Sequence, residues 1–316
     1  MADGDVAGAT QGAGVAGSGA GAGGEADAVV PGAFDRDTAV RELGRSEQDG
    51  LLRAEFAANV SPNWRAGRGP HGGYLAAMLL RALVETVADR ARSPRSLTIH
   101  YARAPEPGTV TIVATIERAG RSLSTLSTRM EQDGKLIALA LGAFSVPWSA
   151  PQIAELPLPD VAPQDAERRS GSPFFKSAPP FTSHLVIQPR IGAVPFSGSD
   201  APMEIGSWLG LSEPRPIDAL SLAFFSDALF SPPFIRLREP STTPTIDLTI
   251  HFRMPLPAAT ETDLPRGVRD ELCFARFRSG LVQDGFFEED GVIWASDGSV
   301  LAQSRQLGIV LPLTIS

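Results

Sequence analysis

Cysteine is nearly absent: Cys273 is the single one in 316 residues, which excludes an internal disulfide framework and fits a reducing compartment. Within "DELCFARF" it reads as a buried strand residue. No apolar run approaches the ~20 residues of a membrane-spanning helix, so a soluble chain with no membrane partner is expected. Basic residues are outnumbered, 28 Lys and Arg against 36 Asp and Glu, and no arginines cluster densely; a net charge of −8 without a basic stripe excludes nucleic acid as partner. A small anionic ligand is still compatible, because one or two arginines can hold a phosphate by charge-assisted hydrogen bonds. No metal-ligand spacing is present, no cofactor is expected, and the glycine-rich "GAGVAGSGAGAGG" has no strand before it or helix after it, which excludes a dinucleotide loop. A basic, apolar export signal is missing too, since Asp3 and Asp5 come early and the first basic residue is Arg36; the expected location is cytoplasmic.

What is there divides into four stretches. The first 33 residues are nearly all Gly, Ala and small polar residues, which cannot bury enough apolar surface to offset chain entropy; residues 1–40 are expected to be a disordered tail. Residues 148–200, rich in Pro and polar residues, look like a connector draped over the fold, with "HLVIQPRIG" as a short strand. This leaves residues 41–147 and 201–316 as two domains, in keeping with a prior of roughly 150 residues per domain. Both carry the same order of elements: a strand, a long apolar helix ("YLAAMLLRALVETVADR" and "DALSLAFFSDALF"), then a run of strands separated by Gly or Pro turns. "LTIHY" at 97–101 answers "LTIHF" at 248–252, and "DGKLIALALG" from Asp133 answers "DGSVLAQSRQ" from Asp297. The expected fold is α+β, each half an antiparallel sheet wrapped around one long helix.

This order resembles the hotdog fold, and its duplication resembles the double-hotdog thioesterases. Three places in the second half make the resemblance specific to the bacterial acyl-CoA thioesterase II type. The "SD" of the helix segment "FFSDALF" places the family's catalytic Asp at Asp227, the "TID" strand start places its Thr at Thr245, and the last strand after an Asp-Gly turn places its Gln at Gln306. The resemblance implies an acyl-CoA substrate, and the chemistry agrees with these residue types. A carboxylate can deprotonate a water near the thioester carbonyl while a hydroxyl and an amide orient it, with no Ser-His-Asp arrangement or cysteine nucleophile needed.

Taken singly, each of these residues has an ordinary reading. Asp227 could reach solvent from a helix, Thr245 could be a strand-edge threonine, and Gln306 merely interrupts an apolar strand. Their joint occurrence carries the argument. Aligning the halves sets Arg81, Pro94 and Gly142 opposite Asp227, Thr245 and Gln306, so the first half has no such set. His100 and His251 are repeat equivalents, read as packing or hydrogen-bonding residues. The first half instead has "HGG" at 71–73 opening its helix, where Gly72 or Gly73 N–H could receive an oxyanion and His71 could contact substrate; plain close packing is the alternative. The rival functions are an acyl-thioester hydratase or dehydratase using His71, and a non-catalytic acyl-CoA binding protein. Edge strands and fused halves leave room for a homo-oligomer.

Overall fold

Alternation of buried and exposed side chains along most of the strands, with apolar residues inward, gives one curved layer whose concave side closes on the helices. The computed structural model describes residues 31–163, 178–254 and 271–313. Its helices are α1 (Ala33–Asp37), α2 (Gly72–Val87) and α3 (Ala219–Phe225). The strands of the first half are β1 (Val40–Gln48), β2 (Leu51–Val60), β3 (Arg65–Ala66), β4 (Gly69–Pro70), β5 (Ser93–Tyr101), β6 (Gly108–Ala119), β7 (Leu123–Gln132) and β8 (Lys135–Ser145). Those of the second are β9 (Leu185–Ile191), β10 (Glu204–Leu211), β11 (Ser241–Thr242), β12 (Thr245–Phe252), β13 (Cys273–Arg278), β14 (Val282–Gln283), β15 (Phe286–Trp294), β16 (Val300–Ile309) and β17 (Leu311–Pro312).

Among the described residues, thirteen strands form a single sheet in the order β1-β2-β6-β7-β8-β5-β12-β16-β15-β13-β10-β9, with β14 paired to β15. The expectation of one sheet per half is corrected here: the halves fuse through β5 and β12, which pair antiparallel. Asp247 lies opposite His100, and His251 opposite Ser96, so the repeated "LTIH" segments meet about a local two-fold. At its centre Thr249 Oγ1 lies 3.2 Å from Thr98 Oγ1. Both repeat-equivalent histidines are exposed.

The second correction concerns the helices. α2 runs for 16 residues and is buried along most of its length, but α3 has only seven. An Asp218–Ser221 capping box starts α3. After Phe225 the chain leaves the helix among side-chain hydrogen bonds, one of which takes a carbonyl that a longer helix would use. Ser226 Oγ back-bonds to the Leu222 carbonyl at 2.8 Å, and the Asp227 carbonyl is held by His71 Nε2 at 2.7 Å. Pro232 and Pro233, which start a short 3-10 turn, then bar any continuation.

Part of the segment read as tail is ordered, while residues 1–30 lie outside the described residues. In α1 Phe34 is buried against Trp64 and Phe224, at ring distances of 5.7 and 5.6 Å, and the Arg215 guanidinium lies 5.2 Å from its ring centre. One apolar aromatic is enough to anchor a segment whose composition is otherwise that of a tail. In the described part of the segment read as a connector, Leu158 and Val161 pack on a patch of Trp208, Phe274 and Trp294. Trp294 Nε1 donates to the Leu156 carbonyl at 2.9 Å.

If α1 is an integral part of the core, Phe34→Ala should lower unfolding free energy by about 3 kcal/mol, typical for emptying a buried aromatic site. Urea denaturation of both proteins checks this, and an unchanged midpoint would mean that the packing of α1 contributes nothing.

Candidate active site

The N-terminus of α2 lacks a local cap. His71 occupies the N-cap position but makes no side-chain capping bond, leaving first-turn N–H groups to find acceptors elsewhere. One acceptor comes from the turn after α3, 154 residues away: Gly73 N–H donates to Asp227 Oδ2 at 2.9 Å. Glycine at both positions is required by this approach. A Cβ on Gly73 would lie 2.4 Å from the Phe224 carbonyl oxygen, and one on Gly72 would lie 2.8 Å from Asp227 Oδ2.

His71 is buried, 3% exposed, and its Nε2 sits 2.7 Å from the Asp227 carbonyl oxygen and 3.7 Å from Oδ2. A carbonyl can only accept, so Nε2 carries the proton and Nδ1 is bare, with no partner among the described residues. Burial lowers the His71 pKa, against the opposing charge of Asp227, so the ring is held neutral. Tyr101, at the end of β5, donates its hydroxyl to the Gly72 carbonyl at 2.9 Å. Burial, and then the Asp227 charge, push its pKa well above the usual phenol value.

Thr245 and Gln306 form a second group. In β12 Leu248 faces the core opposite Gln306, and strict alternation would turn Thr245 to the outside. A bulge between Thr245 and Asp247 adds a residue and brings Thr245 to the inner face, opposite Gly308. Its Oγ1 then donates to Gln306 Oε1 at 2.8 Å. Gln306 Nε2 in turn donates to Glu289 Oε1 at 2.6 Å, across a directly opposed β15–β16 pair. Glu289 is 4% exposed; desolvation by burial, opposed by the Gln306 hydrogen bond and helped by the charges of Asp227 and Asp290, pushes its pKa up to about 8. The field of Asp227 thus reaches the second group. A hydrogen bond of 2.8 Å between Ser231 and Thr243 hydroxyls also ties the turn after α3 to the segment leading into Thr245.

The first half repeats the frame without the chemistry. Its β5 has the same bulge, between Pro94 and Ser96, with Pro94 opposite Phe144 and Leu97 opposite Gly142. This matches Pro94 to Thr245 and Gly142 to Gln306, and the β7 residue facing Gly142 is Leu126 where the second half has Glu289. A Cβ on Gly142 would lie 2.8 Å from the Leu83 Cδ1 methyl of α2, so a side chain there would have to displace the end of Leu83. Arg81, set opposite Asp227 by the repeat, bonds Asp35 at 3.1 Å and Thr38 at 2.9 Å. Asp35 also pairs with Arg215, which binds the α3 N-cap Asp218 at 2.8 Å.

Two family models match: the acyl-CoA thioesterase N-terminal domain over residues 60–145 and the acyl-CoA thioesterase C-terminal domain over residues 156–310. The chain belongs to the acyl-CoA thioesterase family. It is a thioester hydrolase of hotdog fold. An uncharacterised protein of Mycobacterium bovis is 26% identical over 307 residues, covering 88% of this chain and 98% of the relative. A hotdog protein of unknown function from Alicyclobacillus acidocaldarius superposes with a TM-score of 0.75 at 24% identity, covering 90% of this chain and 100% of that one. The acyl-CoA thioesterase II TesB2 of Mycobacterium marinum gives 0.64 at 17% identity, covering 90% and 99%. Among the described residues no helix is long and apolar enough to cross a membrane.

For this thioesterase the sequence reading picked out Asp227, Thr245, Gln306, His71, Gly72 and Gly73, and the structure places them in two hydrogen-bonded groups coupled through Glu289. One expectation changes: Gly73 N–H is not open to an oxyanion, because the Asp227 carboxylate occupies it. Gly72 N–H has no hydrogen bond to a described residue. Tyr101 and Glu289 escaped the sequence reading. A signal for Glu289 existed, since alternation in "FFEEDGVIW" sets it in one row with Phe287, Gly291 and Ile293, all buried.

Glu289 has a consequence for stability. Between its ordinary value of 4.5 and about 8 the folded protein holds a proton here that the unfolded chain has released. Its contribution to stability is therefore greatest below the unfolded value, is lost as pH rises through that window, and is flat above it. Asp227 and Asp290, the charges that act on it, remain in Glu289→Gln, which has nothing to ionise. Denaturant titrations at about pH 5 and about pH 9 should show the variant gaining stability over wild type as pH rises; a constant difference would mean that Glu289 titrates normally.

Proposed function

We propose that this thioesterase hydrolyses an acyl-CoA by direct attack of water, with Asp227 as general base. The observation that carries the reading is the attachment of Asp227: Oδ2 is taken by Gly73 N–H, while Oδ1 has no partner among the described residues and the side chain keeps 16% exposure. A carboxylate fixed through one oxygen presents the other in a set direction, which is what a base needs to meet a water at one place. Thr245 supplies a second acceptor. Its hydroxyl proton goes to Gln306, so its oxygen lone pairs are directed outward, and a water donating to Asp227 and Thr245 would turn a lone pair toward the thioester carbon.

In the reaction so drawn, the water oxygen bonds to the carbonyl carbon, one water proton passes to Asp227, and the carbonyl electron pair moves to oxygen. Gly72 N–H, in the first turn of α2, is the donor that this reading assigns to that oxyanion, aided by the partial positive charge of the helix end. Collapse of the intermediate breaks the carbon–sulfur bond, and the CoA thiolate takes the proton from Asp227. Free acid and CoA result, and no covalent enzyme intermediate forms. The neutral His71 ring acts as a strut for Asp227, because its N–H is engaged by the Asp227 backbone carbonyl. That engagement weighs against a hydratase in which the histidine carries protons.

The test is a panel of acyl-CoAs of increasing chain length with a thiol reagent reading CoA release; Cys273 is fully buried, so its thiol does not interfere. Asp227→Asn should lower kcat by roughly 10²-fold or more, and Thr245→Ala and Gln306→Ala should cost less singly and combine non-additively. Full activity of folded Asp227→Asn would refute the assignment. Consumption of an enoyl-CoA without CoA release would favour the hydratase.

A further inference from the structure

The same site contains an acid that the water-attack scheme does not use. Glu289 lies on the inner face of β15 in an otherwise apolar row, is 4% exposed, and faces Gln306 across a paired position. It ends a chain of hydrogen bonds with one direction, from Thr245 Oγ1 to Gln306 Oε1 at 2.8 Å and from Gln306 Nε2 to Glu289 Oε1 at 2.6 Å. An amide can be turned over with little change of shape, and a buried glutamine is oriented only by what its two ends meet. With its N–H₂ end bound to an acceptor, the carbonyl end must point at Thr245. Thr245 then gives up its proton to Gln306 and can only accept from a water. With Gln306 reversed, the amide would donate to Thr245, and the hydroxyl would become a donor toward the water and compete with Asp227.

We propose that Glu289 is a positioning residue for this hydrolysis: by accepting from Gln306 it sets the direction of the Thr245–Gln306 hydrogen bonds, so that Thr245 and Asp227 together accept the two protons of the attacking water. The inference rests on the thioesterase reading of the site. Its reach is confined to the second half, where the counterpart of Glu289 across the repeat is Leu126, opposite a glycine. The charged groups acting on Glu289 are Asp227, from the turn after α3, and Asp290 on its own strand, which pairs with Arg305 at 3.3 Å. Two carboxylates therefore share this part of the core. A neutral Glu289 that accepts from Gln306 through its carbonyl oxygen Oε1 is compatible with an anionic intermediate, whereas its ionisation would add a negative charge that acts on Asp227 and oppose the developing oxyanion.

The experiment measures kcat and KM for wild type, Glu289→Gln and Glu289→Leu with the acyl-CoA of the panel that wild type hydrolyses fastest, from about pH 6 to about pH 9.5. Glu289→Leu should lower kcat at least roughly 10-fold with KM within about 2-fold, as expected when an interaction made in the transition state is lost. Glu289→Gln, which can still offer a carbonyl to Gln306, should recover most of that loss. Wild-type kcat should fall as pH rises through about 8, and Glu289→Gln should lack that fall. In a Gln306→Ala background, Glu289→Leu should cost no more than about 2-fold further, because its route to Thr245 is already cut. Wild-type kcat in Glu289→Leu, or the same alkaline limb in Glu289→Gln, overturns the positioning role. If Glu289→Leu does not fold, the pH profile of Glu289→Gln decides alone. Absence of CoA release by wild type across the panel would instead bring down the thioesterase reading itself, a result separate from either.

Discussion

The end of one helix is capped by a carboxylate from the other half of the chain, and the site depends on that hydrogen bond. Helix N-termini need acceptors, and α2 has none of its own. Asp227 meets the need through Oδ2, and this single contact brings the start of α2 to the end of α3, demands glycine at 72 and 73, and leaves Oδ1 directed away from the helix. The partial positive charge of the helix end favours an anion there. His71 completes the clamp from below by holding the Asp227 carbonyl. Capping, close packing and presentation of a carboxylate are thus one interaction seen from three sides.

The two halves use one frame for different ends. Each has a strand with a bulge at the same place, and in each the residue just before the bulge, Thr245 or Pro94, is turned inward. In the first half the resulting space is filled by Leu83 from a helix of 16 residues, against Gly142, and the polar positions are Pro94, Gly142 and Leu126. α3 stops after seven residues and has no second half with which to fill the same space. Thr245, Gln306 and Glu289 occupy the equivalent positions and satisfy one another by hydrogen bonds, which is what buried polar groups require. The length of a helix thereby decides which half is packed and which is polar.

Electrostatics follow from the same geometry. Glu289 is buried in a largely apolar row, so desolvation first, and then the charges of Asp227 and Asp290, raise its pKa against the Gln306 hydrogen bond. His71 responds the other way, held neutral by burial despite the carboxylate beside it. The interior therefore carries little net charge beyond Asp227 itself. Elsewhere, the Arg81–Asp35–Arg215–Asp218 ion pairs tie α1 to both longer helices.

The sequence by itself determined the element order, the duplication, and the positions of Asp227, Thr245 and Gln306. Those follow from local periodicity, turn residues and a repeat that survives as "LTIH" in both halves. It was silent on β1, because nearly every residue of "VRELGRSEQ" is exposed and an edge strand of that kind has no apolar row to read. It overstated α3, since "DALSLAFFSDALF" has helical composition throughout, whereas the helix ends at Phe225, before the Asp227 carbonyl held by His71, 156 residues away in sequence. The tertiary structure alone decided that the two halves share one sheet, that Gly73 binds Asp227 instead of lying open, and that Glu289 accepts a hydrogen bond from Gln306. Each of these depends on which residues meet across the β5–β12, α2–α3 or β15–β16 contacts, and such meetings are set by global packing, which no local window of sequence contains.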